Sequence, residues 1–195
     1  MNKILLLAGV SAYLIATNAN ALEINPYVGA KLRYVDMSTD VDVVDVNDKV
    51  MGGSLAVGSS FKTSNGAIRA ELEYNKNEDA EKTFYGLVKF KIDTQSIMLN
   101  TYYDIDTGTK FTPYVGAGIC YAKVKGTAYV YDTKIGSIDD KNFAWQAGVG
   151  AGYALTDNVT FDAGYRYVDY GDFTKYDINV DTSAHEMYAG VRYSF

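Results

Sequence analysis

The chain has 195 residues, with 18 Lys and Arg against 24 Asp and Glu, and it carries 18 Tyr, 18 Gly, two Pro and one Cys. The acidic balance argues against nucleic-acid binding, which needs a clustered basic face, and a single cysteine excludes an intrachain disulfide framework. Abundant Tyr and Gly with almost no Pro point to β structure, in which Tyr also suits membrane interfaces.

In chain order, Lys3 supplies a positive n-region, Ile4 to Ile15 an apolar h-region, and Ala19-Asn20-Ala21 an A-x-A cleavage site. Residues 1–21 therefore read as a secretory signal peptide that is cleaved on export. Residues 22–195 remain, which is 195 − 21 = 174 residues and one domain. Their formal charge is 17 − 24 = −7, Lys3 having been removed. No later stretch approaches the run of about 18 apolar residues that a spanning helix needs.

Eight alternating segments follow. The first strand, about Asn25 to Asp36, sets Val28, Ala30, Leu32 and Tyr34 against Gly29, Lys31 and Arg33. The second, about Met51 to Lys62, sets Leu55, Val57 and Phe61 against Ser54, Ala56, Gly58 and Ser60. Thr63-Ser64-Asn65-Gly66 is a tight turn, Asn-Gly being a hairpin signal. The third strand opposes Ile68, Ala70, Leu72 and Tyr74 to Arg69, Glu71, Glu73 and Asn75. In the fourth, Ile97, Leu99, Thr101 and Tyr103 alternate with Met98, Asn100 and Tyr102, while Phe84, Val88, Phe90 and Ile92 keep the other parity. A bulge near Asp93 to Ser96 is predicted to reconcile the two phases.

After a turn at Asp104 to Lys110, the fifth strand places Val115, Ala117, Ile119 and Tyr121 on one face. The sixth sets Trp145, Ala147, Val149, Ala151 and Tyr153 against Gln146, Gly148, Gly150 and Gly152. Thr156-Asp157-Asn158 turns into the seventh, where Phe161, Ala163, Tyr165 and Tyr167 oppose Asp162, Gly164 and Arg166. The eighth sets Met187, Ala189, Val191, Tyr193 and Phe195 against Glu186, Tyr188, Gly190, Arg192 and Ser194. Pro26-Tyr27-Val28-Gly29-Ala30 recurs as Pro113-Tyr114-Val115-Gly116-Ala117, an offset of 113 − 26 = 87 residues. That is half the mature length, so the first and fifth strands read as equivalents, by repetition of a four-strand unit or by convergence.

The fold class predicted is all-β: an eight-stranded antiparallel up-and-down transmembrane β-barrel. Lipid satisfies no backbone group, so a spanning sheet must close on itself, the eighth strand pairing with the first. Outward aromatics collect at two heights: Phe61, Tyr103, Phe111, Tyr153, Phe161 and Phe195 near the short turns, and Tyr34, Tyr74, Tyr121, Trp145 and Tyr167 at the other end. A lumenal polar network is expected of Lys31, Arg33, Arg69, Glu71, Glu73, Asn100, Gln146, Asp162, Arg166, Glu186 and Arg192. Eight strands leave room for little more than side chains, so these residues read as filling before they read as a solute path. Cys120 reads as a small apolar filler of the same interior. The long connections, about Met37 to Val50, Lys76 to Lys82 or beyond, Lys123 to Asn142 and Asp169 to Thr182, are expected to face outward from the cell.

The stretches Pro113 to Ile119, Gly148 to Tyr153 and Ala163 to Tyr167, with terminal Tyr193-Ser194-Phe195, resemble the small outer-membrane barrels of the opacity-protein, surface-antigen and OmpA/OmpX-like superfamily. The resemblance covers the whole of 22–195. It implies a location in the Gram-negative outer membrane, amid lipid and lipopolysaccharide. It also implies insertion by the outer-membrane assembly machinery, with Val191, Tyr193 and Phe195 as the recognition signal. A non-enzymatic surface protein is expected, whose loops meet host or matrix ligands, or which serves the envelope structurally; the chain is expected to be a monomer without cofactor. A narrow porin-like channel is the alternative.

Two constellations bear on chemistry. Asp36, Asp40, Asp42, Asp45 and Asp48 with Lys49 lack the Gly and Glu placement of an EF-hand, and read as a solvated acidic loop or a loose divalent-cation site. Tyr129, Tyr131, Tyr170 and Tyr176 are candidate partner contacts. Asp181, Ser183 and His185 share strand parity and imitate a hydrolase triad of the kind an outer-leaflet lipid hydrolase would use, but residues spaced by two on one strand meet poorly. An interfacial histidine is the expectation there.

Overall fold

A computed structural model describes the backbone of residues 24–41, 44–77, 80–84, 88–130, 133–175 and 178–195. The proposed signal peptide lies outside the described residues, as do Asp42, Tyr131 and Tyr176. The strands are β1 Ile24–Val41, β2 Val44–Thr63, β3 Gly66–Asn77, β4 Ala80–Phe84, β5 Val88–Ile105, β6 Phe111–Val130, β7 Thr133–Ala154, β8 Val159–Lys175 and β9 Ile178–Ser194. Neighbours in sequence pair antiparallel except β3 and β4, and β1–β9 and β3–β5 pairings close the ring. The short β4 runs on beyond β3 along the same side of β5, so the ring has eight members, as the alternation predicts.

Register fixes the cylinder's geometry. Val28 pairs in turn, strand by strand, through Val57, Leu72, Leu99, Ile119, Trp145, Asp169 and Ser183 back to Ser38, a stagger of 38 − 28 = 10 residues. Ten rises of about 3.3 Å over eight spacings of about 4.8 Å give a strand tilt of about 40°. Turns at residues 64–65, 106–110 and 155–158 cluster with the C-terminus at one end, where the Phe195 amide donates to the Pro26 carbonyl at 3.1 Å. Gly66 is required there, because a Cβ on it would strike the Asp104 carbonyl.

Two expectations need correction. β5 pairs with β6 from Val88 to Asp104 without a shift, so no bulge occurs at Asp93 to Ser96. The extra residue lies on the other strand instead. From Lys76–Gln95 to Ala80–Ile92, β3 and β4 advance four residues while β5 advances three. The sequence between Lys76 and Ala80 is polar and of low strand propensity, whereas Val88 to Ile92 favours an unbroken strand.

The long connections, second, are largely hairpin rather than loop. Pairing continues to Val41–Val44, Val88–Val130, Val130–Thr133 and Lys175–Ile178. Among the described residues, however, β2–β3 pairing ends at Gly52–Asn77 and β7–β8 pairing at Trp145–Asp169. Beyond the wall the sheet thus divides into two four-stranded leaves, β2–β1–β9–β8 and β4–β5–β6–β7.

Candidate functional site

The lumen is built from every second residue of the strands. Nearest the short turns, Arg69 Nε donates to Asp104 at 2.9 Å, and Arg192 sits 3.3 Å from Asp162 and 3.9 Å from Asp104. One layer higher, Lys31 Nζ bridges Glu71 at 2.7 Å and Glu73 at 2.5 Å. Arg166 joins Glu73 at 2.9 Å to Glu186 at 2.6 Å, and Arg33 meets Glu186 at 3.1 Å and Asn77 at 2.5 Å. Gln146 donates to Asn100 at 3.0 Å. Five cations (Lys31, Arg33, Arg69, Arg166, Arg192) face five carboxylates (Glu71, Glu73, Asp104, Asp162, Glu186), so the paired lumen is formally neutral. Charges so deeply desolvated are tolerable only when paired and hydrogen-bonded.

All eleven residues expected inside are therefore brought together. The network expected from the sequence omitted four tyrosines among them, although the alternation had put Tyr102 and Tyr188 on the inward faces of their strands. Tyr27, Tyr102, Tyr114 and Tyr188 point inward, and each stands directly across the ladder from a glycine: Gly58, Gly116, Gly150 and Gly164. A Cβ at any of those glycines would enter the facing tyrosine ring, so the missing side chains are the seats of the rings. The Arg69 guanidinium lies 4.6 Å from the Tyr102 ring centre and 4.7 Å from that of Tyr114, a cation–π contact with both members of an edge-to-face pair. Tyr27 donates to Glu71 at 3.0 Å, and Tyr114 and Tyr188 hydroxyls meet at 3.1 Å. The available signal was parity: Tyr27 and Tyr114 occupy the same place in the repeated Pro-Tyr-Val-Gly-Ala. Asp104 and Asn77 were likewise omitted, while Asn75 was expected on the inner face of its strand; all three carry lumenal parity.

Above the ions, Val35, Met98, Cys120, Ala122, Ala144, Val168 and Ala184 form a buried apolar cluster against which Tyr170 packs. Cys120 is a free thiol there, and Tyr170 packs inward beside the register shift between Asp169 and Asp172. Paired ions interleaved with the seated rings, and this apolar layer above them, occupy the bore.

The outer face is the reverse. Leu32, Leu55, Val149 and Met187 are more than half exposed. Tyr34, Tyr74, Tyr121 and Trp145 are exposed toward the hairpin end, with Tyr167 half-buried against Trp145 at 5.9 Å between ring centres. Tyr103, Phe111, Tyr153, Phe161 and Phe195 are exposed toward the short turns, and Phe61 is half-buried. Val191, Tyr193 and Phe195 line one outward row of β9 and its end, with Phe195 edge-on to Tyr193 at 5.3 Å. His185 faces outward too. Its Nδ1 is hydrogen-bonded to the Tyr165 hydroxyl and its ring stacks on Tyr165, so it is bound sideways to β8 rather than along β9 to Ser183. The side chain of Asp181 lies outside the described residues, as do those of Asp40, Asp45 and Asp48. Asp36 pairs with Lys49 at 3.9 Å on the exposed surface. Among the described residues no group of three or more potential metal ligands gathers.

A closed sheet with an apolar exterior, two aromatic heights and an ion-paired interior defines a transmembrane β-barrel. Residues 4–195 match the family described as outer membrane protein beta-barrel domain, and the chain belongs to that family. It is 30% identical over 175 residues to outer membrane protein PagN of Salmonella typhimurium, covering 75% of this chain and 73% of PagN. It is 28% identical over 156 residues to opacity protein opA67 of Neisseria gonorrhoeae, covering 65% of this chain and 62% of that one, so it spans less than two thirds of the opacity protein. In fold it is similar to Neisserial surface protein A, with a TM-score of 0.61 at 22% identity, 87% of this chain and 97% of that one being covered. It is similar too to Ail of Yersinia pestis in complex with the heparin analogue sucrose octasulfate, with a TM-score of 0.52 at 15% identity over 87% and 99%. The chain is an integral protein of the Gram-negative outer membrane.

Proposed function

We propose that this barrel is a non-enzymatic, monomeric surface protein that presents its two extracellular leaves to host or matrix ligands. One observation carries the reading: the bore is filled along its length, while the strands continue past the wall as paired hairpins. A plugged cylinder leaves the rim as the place for recognition. The similarity to PagN and to opacity proteins, themselves outer-membrane proteins, supports a surface role.

Charge suggests the partner's chemistry. Along one leaf, Asp45, Asp40, Asp181 and Asp172 stand directly opposite one another on successive strands. Such a row favours a ligand with a basic patch over a polyanion. Residues 1–21 act as the export signal, Val191, Tyr193 and Phe195 serve the assembly machinery, and the two aromatic heights sit at the lipid boundaries, lipopolysaccharide surrounding the outer one.

The test is removal of hairpin 37–50, hairpin 124–141 or hairpin 170–182 in turn, with surface display checked by antibody before binding to host cells and matrix proteins is measured. Loss of binding with a displayed barrel supports the reading. Full binding by all three variants refutes it. The channel alternative is disfavoured by the filled bore, and a reproducible open state in planar bilayers would restore it.

A further inference from the structure

A cavity of about 610 Å³ opens in the outer face where the β2–β3 ladder ends, its floor at Gly53 and its rim at Leu32, Met51, Leu55, Tyr74 and Lys76. The volume lies within the roughly 300–1,000 Å³ of small-ligand sites. Gly53 faces outward between Leu32 on β1 and Lys76 on β3, its direct ladder partners. A Cβ there would meet nothing nearer than the Lys31 carbonyl at 3.9 Å, so the groove exists because a side chain is missing, not because one is displaced. Its walls are hydrocarbon: Leu32 is 69% exposed and Leu55 65%. At its extracellular edge, one outward position beyond Tyr74, Lys76 is exposed.

We propose that this groove is a site for the phosphorylated glycolipid of the outer leaflet, the lipid A portion of lipopolysaccharide. One acyl chain lies over Gly53 between Leu32 and Tyr74, and a glucosamine phosphate meets Lys76. The proposal deepens the lipopolysaccharide partnership put forward above and rests on that reading. Three features select this occupant. The groove is on the hairpin half of the wall, which in an outer-membrane barrel faces the outer leaflet. It is apolar below and cationic at headgroup height, the order in which an acylated phosphosugar presents its parts. Gly53, with no side chain between Leu32 and Lys76, leaves the depth that an acyl chain needs.

The test uses the full mature chain, folded in zwitterionic detergent and checked by heat-modifiable mobility. Bisphosphorylated lipid A, the same lipid after dephosphorylation, and phosphatidylglycerol are titrated in turn, and bound lipid is read by native mass spectrometry. Wild type should retain bisphosphorylated lipid A in preference to both others. Gly53→Phe should weaken retention about tenfold, the outcome of losing the acyl seat. Lys76→Glu, an exposed change that leaves the wall intact, should abolish the preference for the phosphorylated form. Val149→Phe, elsewhere on the outer face, should bind as wild type does. Equal retention of all three lipids by wild type, or wild-type binding by both groove variants, overturns the site while leaving the barrel reading intact. Failure of the chain to form a heat-modifiable barrel would instead overturn the outer-membrane reading itself.

Discussion

Replacing Glu186 by Gln probes whether the lumen is a low-dielectric interior or a wet one. Glu186 is 1% exposed and accepts from Arg166 Nε at 2.6 Å and from Arg33 Nη1 at 3.1 Å. Glutamine keeps its shape and removes one of five negative charges, so the paired lumen goes from neutral to +1. Arg166 would retain Glu73 at 2.9 Å, but Arg33 would be left with Asn77, a neutral acceptor. Leaving a buried cation without its counter-charge costs about 3–5 kcal/mol. The exposed Lys49–Asp36 pair, 3.9 Å apart, is worth no more than about 1 kcal/mol. Urea unfolding in phospholipid vesicles, followed by the fluorescence of Trp145, reads both. With a slope of about 3 kcal/mol/M, Glu186→Gln should lower the midpoint by about 1–1.7 M, and Lys49→Ala by under about 0.4 M. Adding Arg33→Met to Glu186→Gln removes the stranded cation and should recover part of the loss. A midpoint for Glu186→Gln within about 0.3 M of wild type would refute the reasoning, because the lumen would then be hydrated enough to screen its ions.

Three further outcomes follow from the same geometry. At Gly150 a Cβ would sit 2.6 Å from the Tyr114 ring and 2.7 Å from the Ala163 carbonyl, so Gly150→Ala should cost about 1–3 kcal/mol in the same unfolding assay. Gly29→Ala, whose nearest neighbour is 3.5 Å away, should stay within about 0.5 kcal/mol of wild type. Cys120, 1% exposed in the apolar layer, should resist maleimide in the folded barrel and label fully in urea, as judged by mass. Val149→Arg places a cation midway between outward Trp145 and Tyr153, and should destabilise the vesicle-embedded barrel by about 2–4 kcal/mol while changing stability far less in detergent.

The faces were legible in the sequence because each strand encodes its own: with period two, Lys31 and Arg33 could lie only opposite Leu32 and Tyr34. Pairing was not legible, since parity says that Arg166 is inside but not that it will join Glu73 to Glu186. The tyrosine seats failed for the same reason. Tyr27 stands on Gly58 only once the β1–β2 register is set. The hairpins were hidden by a different effect. From Met37–Asp48 to Val41–Val44 the ladder runs on with Thr39, Val41, Val44 and Val46 at one set of register positions and Ser38, Asp40, Asp45 and Asn47 at the other, an alternation obscured by the density of acidic residues. The bulge wrongly placed near Asp93 to Ser96 came from a change of apolar parity in the sequence, across which the β5–β6 ladder runs on unbroken.

Charge shows why the rim rather than the bore deserves the functional reading. Residues 37–50 and 169–182 contain eight Asp and two Lys, a balance of 2 − 8 = −6, which is most of the −7 carried by residues 22–195. The rest of residues 22–195, lumen included, sums to −1. Most of the excess therefore falls in these two stretches, where Asp45, Asp40, Asp181 and Asp172 hold paired register positions on successive strands. Like charges so placed cost about 0.2–1 kcal/mol per pair and give the fold nothing in return. A barrel held by its lumen and its closed ladder can carry that cost without unfolding. The leaf's stability then rises when a basic partner or added salt relieves the repulsion, so the surface least favourable to the fold is the one best prepared for electrostatic recognition.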